Sequence, residues 1–86
     1  MIHFTVQHWK DEDLARAIAL LFYQDPSTFY DEHAKKWQIG IANDLWLHPK
    51  ENKTYVLNYR YGTLEEIQAL ANMLKWRLGV KITKVE

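Results

Sequence analysis

The segment Thr63 to Gly79, TLEEIQALANMLKWRLG, constrains the fold more than any other stretch of the chain. Leu64, Ile67, Leu70, Ala71, Leu74 and Leu78 recur at helical spacing and form a core-facing stripe. Thr63-Leu64-Glu65-Glu66 is a capping box, with Thr63 as cap and Glu66 reaching back. Gly79 stands where a helix exits through a left-handed residue. The helix therefore has defined ends and one face that must be buried. On its other side Ala69, Met73 and Trp76 recur at i, i+4 and i+7. At about 100° per residue, Trp76 points away from the centre of the core stripe. A domain with one core needs only one of these faces. The second apolar stripe needs either another part of the same chain or a partner.

The rest of the chain supplies the surfaces that such a helix covers. Ile2, Phe4 and Val6 alternate with His3, Thr5 and Gln7 as in a half-buried strand. Trp9 to Asp13 reads as a turn running into the acidic start of a helix. Leu14, Ile18, Leu21 and Phe22 form one face of that helix, and Pro26 ends it near Tyr23 or Gln24. Asp25-Pro26 has the form of a cap and first position for a second, short helix, with Phe29, Tyr30, His33, Ala34 and Trp37 on its apolar side. Residues 38–44 give no clear period. Leu45–His48 and Lys53–Tyr61 flank Pro49-Lys50-Glu51-Asn52 and predict a hairpin with a loop of four or five residues. In its second strand Tyr55, Leu57, Tyr59 and Tyr61 share the more apolar face, which is expected under the helices. Residues 80–85 alternate as a last strand.

With the short helix set aside, this order is βαββαβ. The expectation is one α+β domain spanning residues 1–86. Its architecture is a ferredoxin-like sandwich with a four-stranded antiparallel sheet, both main helices on one face, and an extra short helix after the first. The order assigns no function, because many functions share it.

Composition removes several classes. There is no cysteine among 86 residues, so disulfides, zinc–thiolate sites and cysteine nucleophiles are out. No basic segment followed by a long apolar run opens the chain, and the longest apolar run, Ala17–Tyr23, is far too short to span a membrane. A cytoplasmic location is the expectation. Eleven basic residues balance eleven acidic ones, which disfavours a dedicated nucleic-acid binder. His3, His8, His33 and His48 have no metal-ligand spacing, so no metal or other cofactor is expected. The carboxylate clusters Asp11-Glu12-Asp13 and Glu65-Glu66 fall at helix starts, where the helix dipole accounts for them. The single serine, Ser27, has no nucleophile-elbow context, and three glycines cannot build a phosphate loop. No enzymatic activity is expected.

Three functions fit what is left. The first is a non-catalytic protein–protein interaction module, a small regulator or inhibitor of a larger protein. Its contact residues would be Trp76, Met73 and Ala69, extended by Leu20 and Tyr23 off the main stripe of the first helix. The partner is another protein or a second copy of the chain. The second is a single-stranded RNA-binding domain of the same strand order, using Lys53, Tyr55, Tyr59 and Arg60. RNA-recognition strands follow a basic-Gly-aromatic-small-aromatic pattern. Lys53 and Tyr55 fit that pattern, but Thr54 stands at the glycine and Leu57 at the second stacking position. If Tyr55 and Tyr59 met RNA, Asn58 and Arg60 would have to lie under the helices, which is costly for polar groups. The third is a small-molecule-binding regulatory domain, which shares only the strand order.

Overall fold

A computed structural model describes all residues from Met1 to Glu86. Eight elements follow one another: β1 (Ile2–Thr5), α1 (Asp11–Tyr23), β2 (Thr28–Asp31), β3 (Lys36–Ile39), β4 (Leu45–Pro49), β5 (Thr54–Tyr59), α2 (Leu64–Leu78) and β6 (Lys81–Val85). The strands make one antiparallel sheet in the order β2-β3-β4-β5-β1-β6. The fold is α+β, as expected. The four-stranded ferredoxin-like sandwich is not what forms, because the sheet has six strands. The strands read at both ends of the chain do pair with each other, Ile2 opposite Val85, and β1 also pairs with β5.

The two additional strands replace the expected short helix. The 29, 30, 33, 34, 37 spacing fits a helix, but it also fits two strands folded about a four-residue turn. Pairing of β3 with β4 selects the hairpin, and local turn chemistry supports it. Asp25 Oδ1 accepts hydrogen bonds from the Ser27 N–H at 2.9 Å and from its hydroxyl at 2.6 Å, so it closes a turn instead of capping a helix. Asp31 Oδ1 accepts from the His33 and Ala34 N–H groups, both at 3.0 Å, and Lys35 takes a left-handed φ of 54°. Tyr30 and Trp37 then face each other across the strands with ring centroids 5.0 Å apart. Beyond β3, Gly40 has a φ of 73°, and a Cβ there would lie 2.6 Å from the Tyr23 ring. Only glycine meets both conditions.

Register separates the two faces of the sheet. Trp37, Leu47, Leu57, Ile2 and Val85 lie in one cross-strand row. They share their side with Phe4, Leu45, Tyr55 and Ile39, all at most 1% exposed. Leu14, Ala15, Ile18 and Ala19 of α1 and Leu70, Ala71 and Leu74 of α2 join the same core. Both helices therefore cover one face. α1 packs over β3 and β2, and α2 over β6. The helix ends follow the sequence. Thr63 Oγ1 accepts from the Glu66 N–H at 3.2 Å, and Gly79 exits at a φ of 68°. The Glu66 carboxylate bonds the Thr63 hydroxyl rather than its backbone N–H. Two expected core residues lie outside: Leu64 is 68% exposed at the first turn of α2, and Tyr61 is 67% exposed past the end of β5.

Candidate functional site

The outer side of α2 is the surface singled out by the sequence. Trp76 is 78% exposed and Met73 38%, and Ala69 is also in solvent. The segment expected to fold over them is instead the β2–β3 hairpin at the other end of the sheet. Lys75 and Arg77 flank Trp76, and the Lys75 ammonium lies 5.5 Å from the indole centroid. Leu20 is 50% exposed on α1. The Trp9 indole N–H donates to the Leu78 carbonyl at 3.3 Å, tying the start of α1 to the end of α2. Leu20 lies nine residues beyond Asp11, about 14 Å further along α1. Leu20 and Trp9 line one depression with Lys10, Asp13, Arg16 and Ala17. Tyr23 is not a free contact residue. Its ring covers Gly40, its hydroxyl donates to Asp44 at 2.5 Å, and burial followed by that carboxylate pushes its phenol well above the ordinary range.

The residues considered for RNA separate in the same way. Tyr55 is 1% exposed, stacks on Phe4 at 5.5 Å and donates to Asp11 at 2.5 Å. Tyr59 is half-buried on the same helix-covered side, beside Gly62 and Ile67. Neither ring is open to a base. Lys53 is exposed but donates to the Trp9 carbonyl at 3.2 Å. Arg60 is exposed, 5.1 Å from the Tyr61 ring.

The opposite face of the sheet carries no helix, and sequence reasoning passed over it. Phe29, Gln38, Trp46 and Asn58 form one cross-strand row there. His48, Val56, His3 and Lys84 follow in the next row, with Lys36 at its β3 end. Phe29 is 65% exposed. Trp46 is half-buried, with its indole N–H bonded to Asn43 Oδ1 at 3.0 Å and the Lys36 ammonium 4.6 Å from its ring centroid. Met1, His3, His48, Lys50, Val56 and Asn58 line a depression of about 320 Å³. Burial, then Lys50 and Lys36, hold the His48 imidazole below its usual range. The alternation in Leu45-Trp46-Leu47-His48 already implied that Trp46 and His48 face away from the core. Phe29 and Lys36 were hidden by the helical reading of their segment.

No protein-family model, curated protein or solved structure matches the chain. Its chemistry is therefore read from geometry. No polar or charged side chain is fully buried, and every buried side-chain nitrogen or oxygen has a partner. No group of three or more histidines and carboxylates is placed to hold a metal ion. The four histidines are dispersed: His3 bonds Glu86 at 2.9 Å, His48 lies on the open face, His8 precedes α1 and His33 sits in the β2–β3 turn. Asp11, Glu12 and Asp13 occupy the first turn of α1, and Glu65 and Glu66 that of α2. No helix is long and apolar enough to cross a membrane.

Proposed function

We propose that this protein is a non-catalytic interaction module that docks through the outer stripe of α2 onto another protein and regulates it. The observation that carries the reading is Trp76, 78% exposed on a capped helix whose opposite face enters the core through Leu70, Ala71 and Leu74. Exposed tryptophans of this kind are the residues most enriched among binding hot spots. Lys75 and Arg77 give the stripe a basic rim at the end of the helix. The partner chemistry that fits is an apolar pocket able to take the indole, bordered by carboxylates.

The test compares tagged wild type with Trp76→Ala and with Lys75→Glu/Arg77→Glu. Both variants should keep the wild-type melting temperature, since none of these side chains is buried. Trp76→Ala should weaken binding to a protein captured from the native host by about 2 kcal/mol or more when remeasured with purified components. A captured protein retained equally by all three forms refutes the reading. Concentration-dependent self-association lost in Trp76→Ala would replace the heterologous partner by a second copy. A fall of several kcal/mol in stability, as for a core truncation, would remove Trp76 from the surface altogether.

A further inference from the structure

The two edges of the sheet, β2 and β6, are built differently. Proteins that stay monomeric blunt their edges with lysines, prolines or bulges that spoil pairing with a further strand. β6 has two of these devices. Lys81 and Lys84 are exposed along it, and its register with β1 shifts between His3 and Phe4. β2, Thr28-Phe29-Tyr30-Asp31, has neither lysine nor proline. Its register with β3 runs unbroken from Thr28 opposite Ile39 to Asp31 opposite Lys36. The one charged side chain on it, Asp31, accepts the His33 and Ala34 N–H groups of its own turn. The protection left to β2 is its length, four residues.

The phase of the ladder decides which backbone groups of β2 face outward. The Gly40 N–H donates to the Ser27 carbonyl at 2.9 Å, and the hairpin register places these two residues opposite each other. In an antiparallel ladder such bonded pairs alternate with non-bonded ones. Ser27, Phe29 and Asp31 therefore turn their N–H and C=O groups toward β3, and Thr28 and Tyr30 turn theirs away from it. Neither Thr28 nor Tyr30 uses its backbone in a turn, loop or cap bond. Each leaves one donor and one acceptor at the free edge.

These groups complement themselves in one register. About a two-fold axis normal to the sheet, antiparallel strands keep their side chains on the correct faces only when the axis passes through a residue. With the axis at Phe29, Thr28 stands opposite Tyr30 of the second copy, and Tyr30 opposite its Thr28. All the outward groups of both strands are then bonded. With the axis at Thr28, Tyr30 would meet Pro26, which has no N–H to give. With the axis at Tyr30, Phe29 would meet the Asp31 carboxylate. The Phe29 register also brings the two Phe29 rings together in a non-hydrogen-bonded pair, where side chains approach most closely. Asp31 then meets Ser27, so no like charges face each other.

We propose that two copies of this chain associate edge to edge through β2, antiparallel about Phe29, and join their sheets into one. A second copy is the occupant because the free groups and side chains of β2 fit those of β2 itself, as an isologous contact requires. α2 packs over β6 at the opposite edge, so its outer stripe stays open in the dimer. Neither this contact nor the docking reading depends on the other.

The contact joins two four-residue strands, so a weak dimer, half-formed at about 100 micromolar, is expected. Sedimentation equilibrium from about 10 micromolar to about 1 millimolar should show the mass rising from 10.3 kDa toward twice that value. Phe29→Lys puts like charges opposite each other at the axis, on a side chain 65% exposed. It should weaken association by about tenfold or more and leave the melting temperature of the dilute protein unchanged. Trp76→Ala should not alter association. Two readouts need no variant. The Thr28 and Tyr30 amides should exchange freely when dilute and severalfold more slowly when concentrated, while the amides of β6 do not change. In a mixture of isotope-labelled and unlabelled protein, a filtered NOE should connect the Phe29 Hα atoms of the two copies. A protein that stays monomeric throughout overturns the proposal, as does association that survives Phe29→Lys or is lost in Trp76→Ala. Protection of Thr28 and Tyr30 only when a host protein is added would give the edge to a foreign strand and equally rule out the second copy.

Discussion

Tyr55 is 1% exposed yet ends in a hydroxyl, and both facts have to be satisfied by its neighbours. Its ring stacks on Phe4, and its hydroxyl reaches the edge of the core to donate to Asp11 in the first turn of α1. Burial first, then the Asp11 hydrogen bond, push its phenol well above the ordinary tyrosine value of 10.0. The fold therefore favours the neutral phenol. Its contribution is fully present below the unfolded value and is lost as pH rises above it toward the folded value. Tyr23, raised by burial and by Asp44, acts in the same direction. Tyr55→Phe should cost about 1–2 kcal/mol at neutral pH, the worth of one charge-assisted hydrogen bond. It should also flatten the loss of stability as pH rises above about 10, to which the phenols contribute alongside the lysines. Urea unfolding across that range checks both, and an unchanged alkaline slope in Tyr55→Phe would discount the Tyr55 phenol as a source of it.

At the level of elements, α2 and the β2–β3 hairpin behave differently. α2 is specified locally: cap, acidic first turn, basic last turn and αL exit are all in its own sequence. Thr63→Ala removes the acceptor of the Glu66 N–H and should destabilise the protein by about 1 kcal/mol, measured by chemical denaturation. Leu74→Ala, at a position 0% exposed, should cost about 2–5 kcal/mol, so the two substitutions rank the cap against the core. A cap variant as damaging as the core variant would mean that α2 is held by its end rather than by its face. The hairpin, by contrast, depends on remote parts. Trp37 needs Leu47 of β4 opposite it, Gln38 needs Trp46 of β4 opposite it, and Gly40 meets the Tyr23 ring at the end of α1.

Across the whole molecule, stability should follow position in the sheet. β5 and β1 are hydrogen-bonded on both sides and lie under the buried core, whereas β2 and β6 are edges. β2 has four residues, and Phe29 and Tyr30 on it are 65% and 38% exposed. Hydrogen exchange should therefore be slowest in β5 and β1, and faster by at least about a hundredfold in β2, since edges open by local rather than global unfolding. Equal protection of β2 and β5 would show that the hairpin unfolds only with the rest of the sheet. An edge that opens more readily than the centre also matters for the open face, because Phe29 lies on it.

The sequence alone determined the two main helices, the β4–β5 hairpin, the terminal strands and the helix-covered face of β5. Each rests on a period or a cap contained within a dozen or so neighbouring residues. It also marked Trp76, Met73 and Ala69 as surplus to the core, because a helical wheel needs no tertiary information. Three other features were decided only by the tertiary structure. The segment 28–39 satisfied both a helical and a hairpin pattern, and pairing with β4 chose between them. Tyr23 was readable as an outward residue, but its contacts with Gly40 and Asp44 tie it into the fold. The third is the distribution of charge. Net charge is a sum and can be read from composition, whereas a charged face is an arrangement. Lys36, Lys81 and Lys84 stand on one surface with Asp31 because strand register places them there, and register is fixed by contacts between residues distant along the chain.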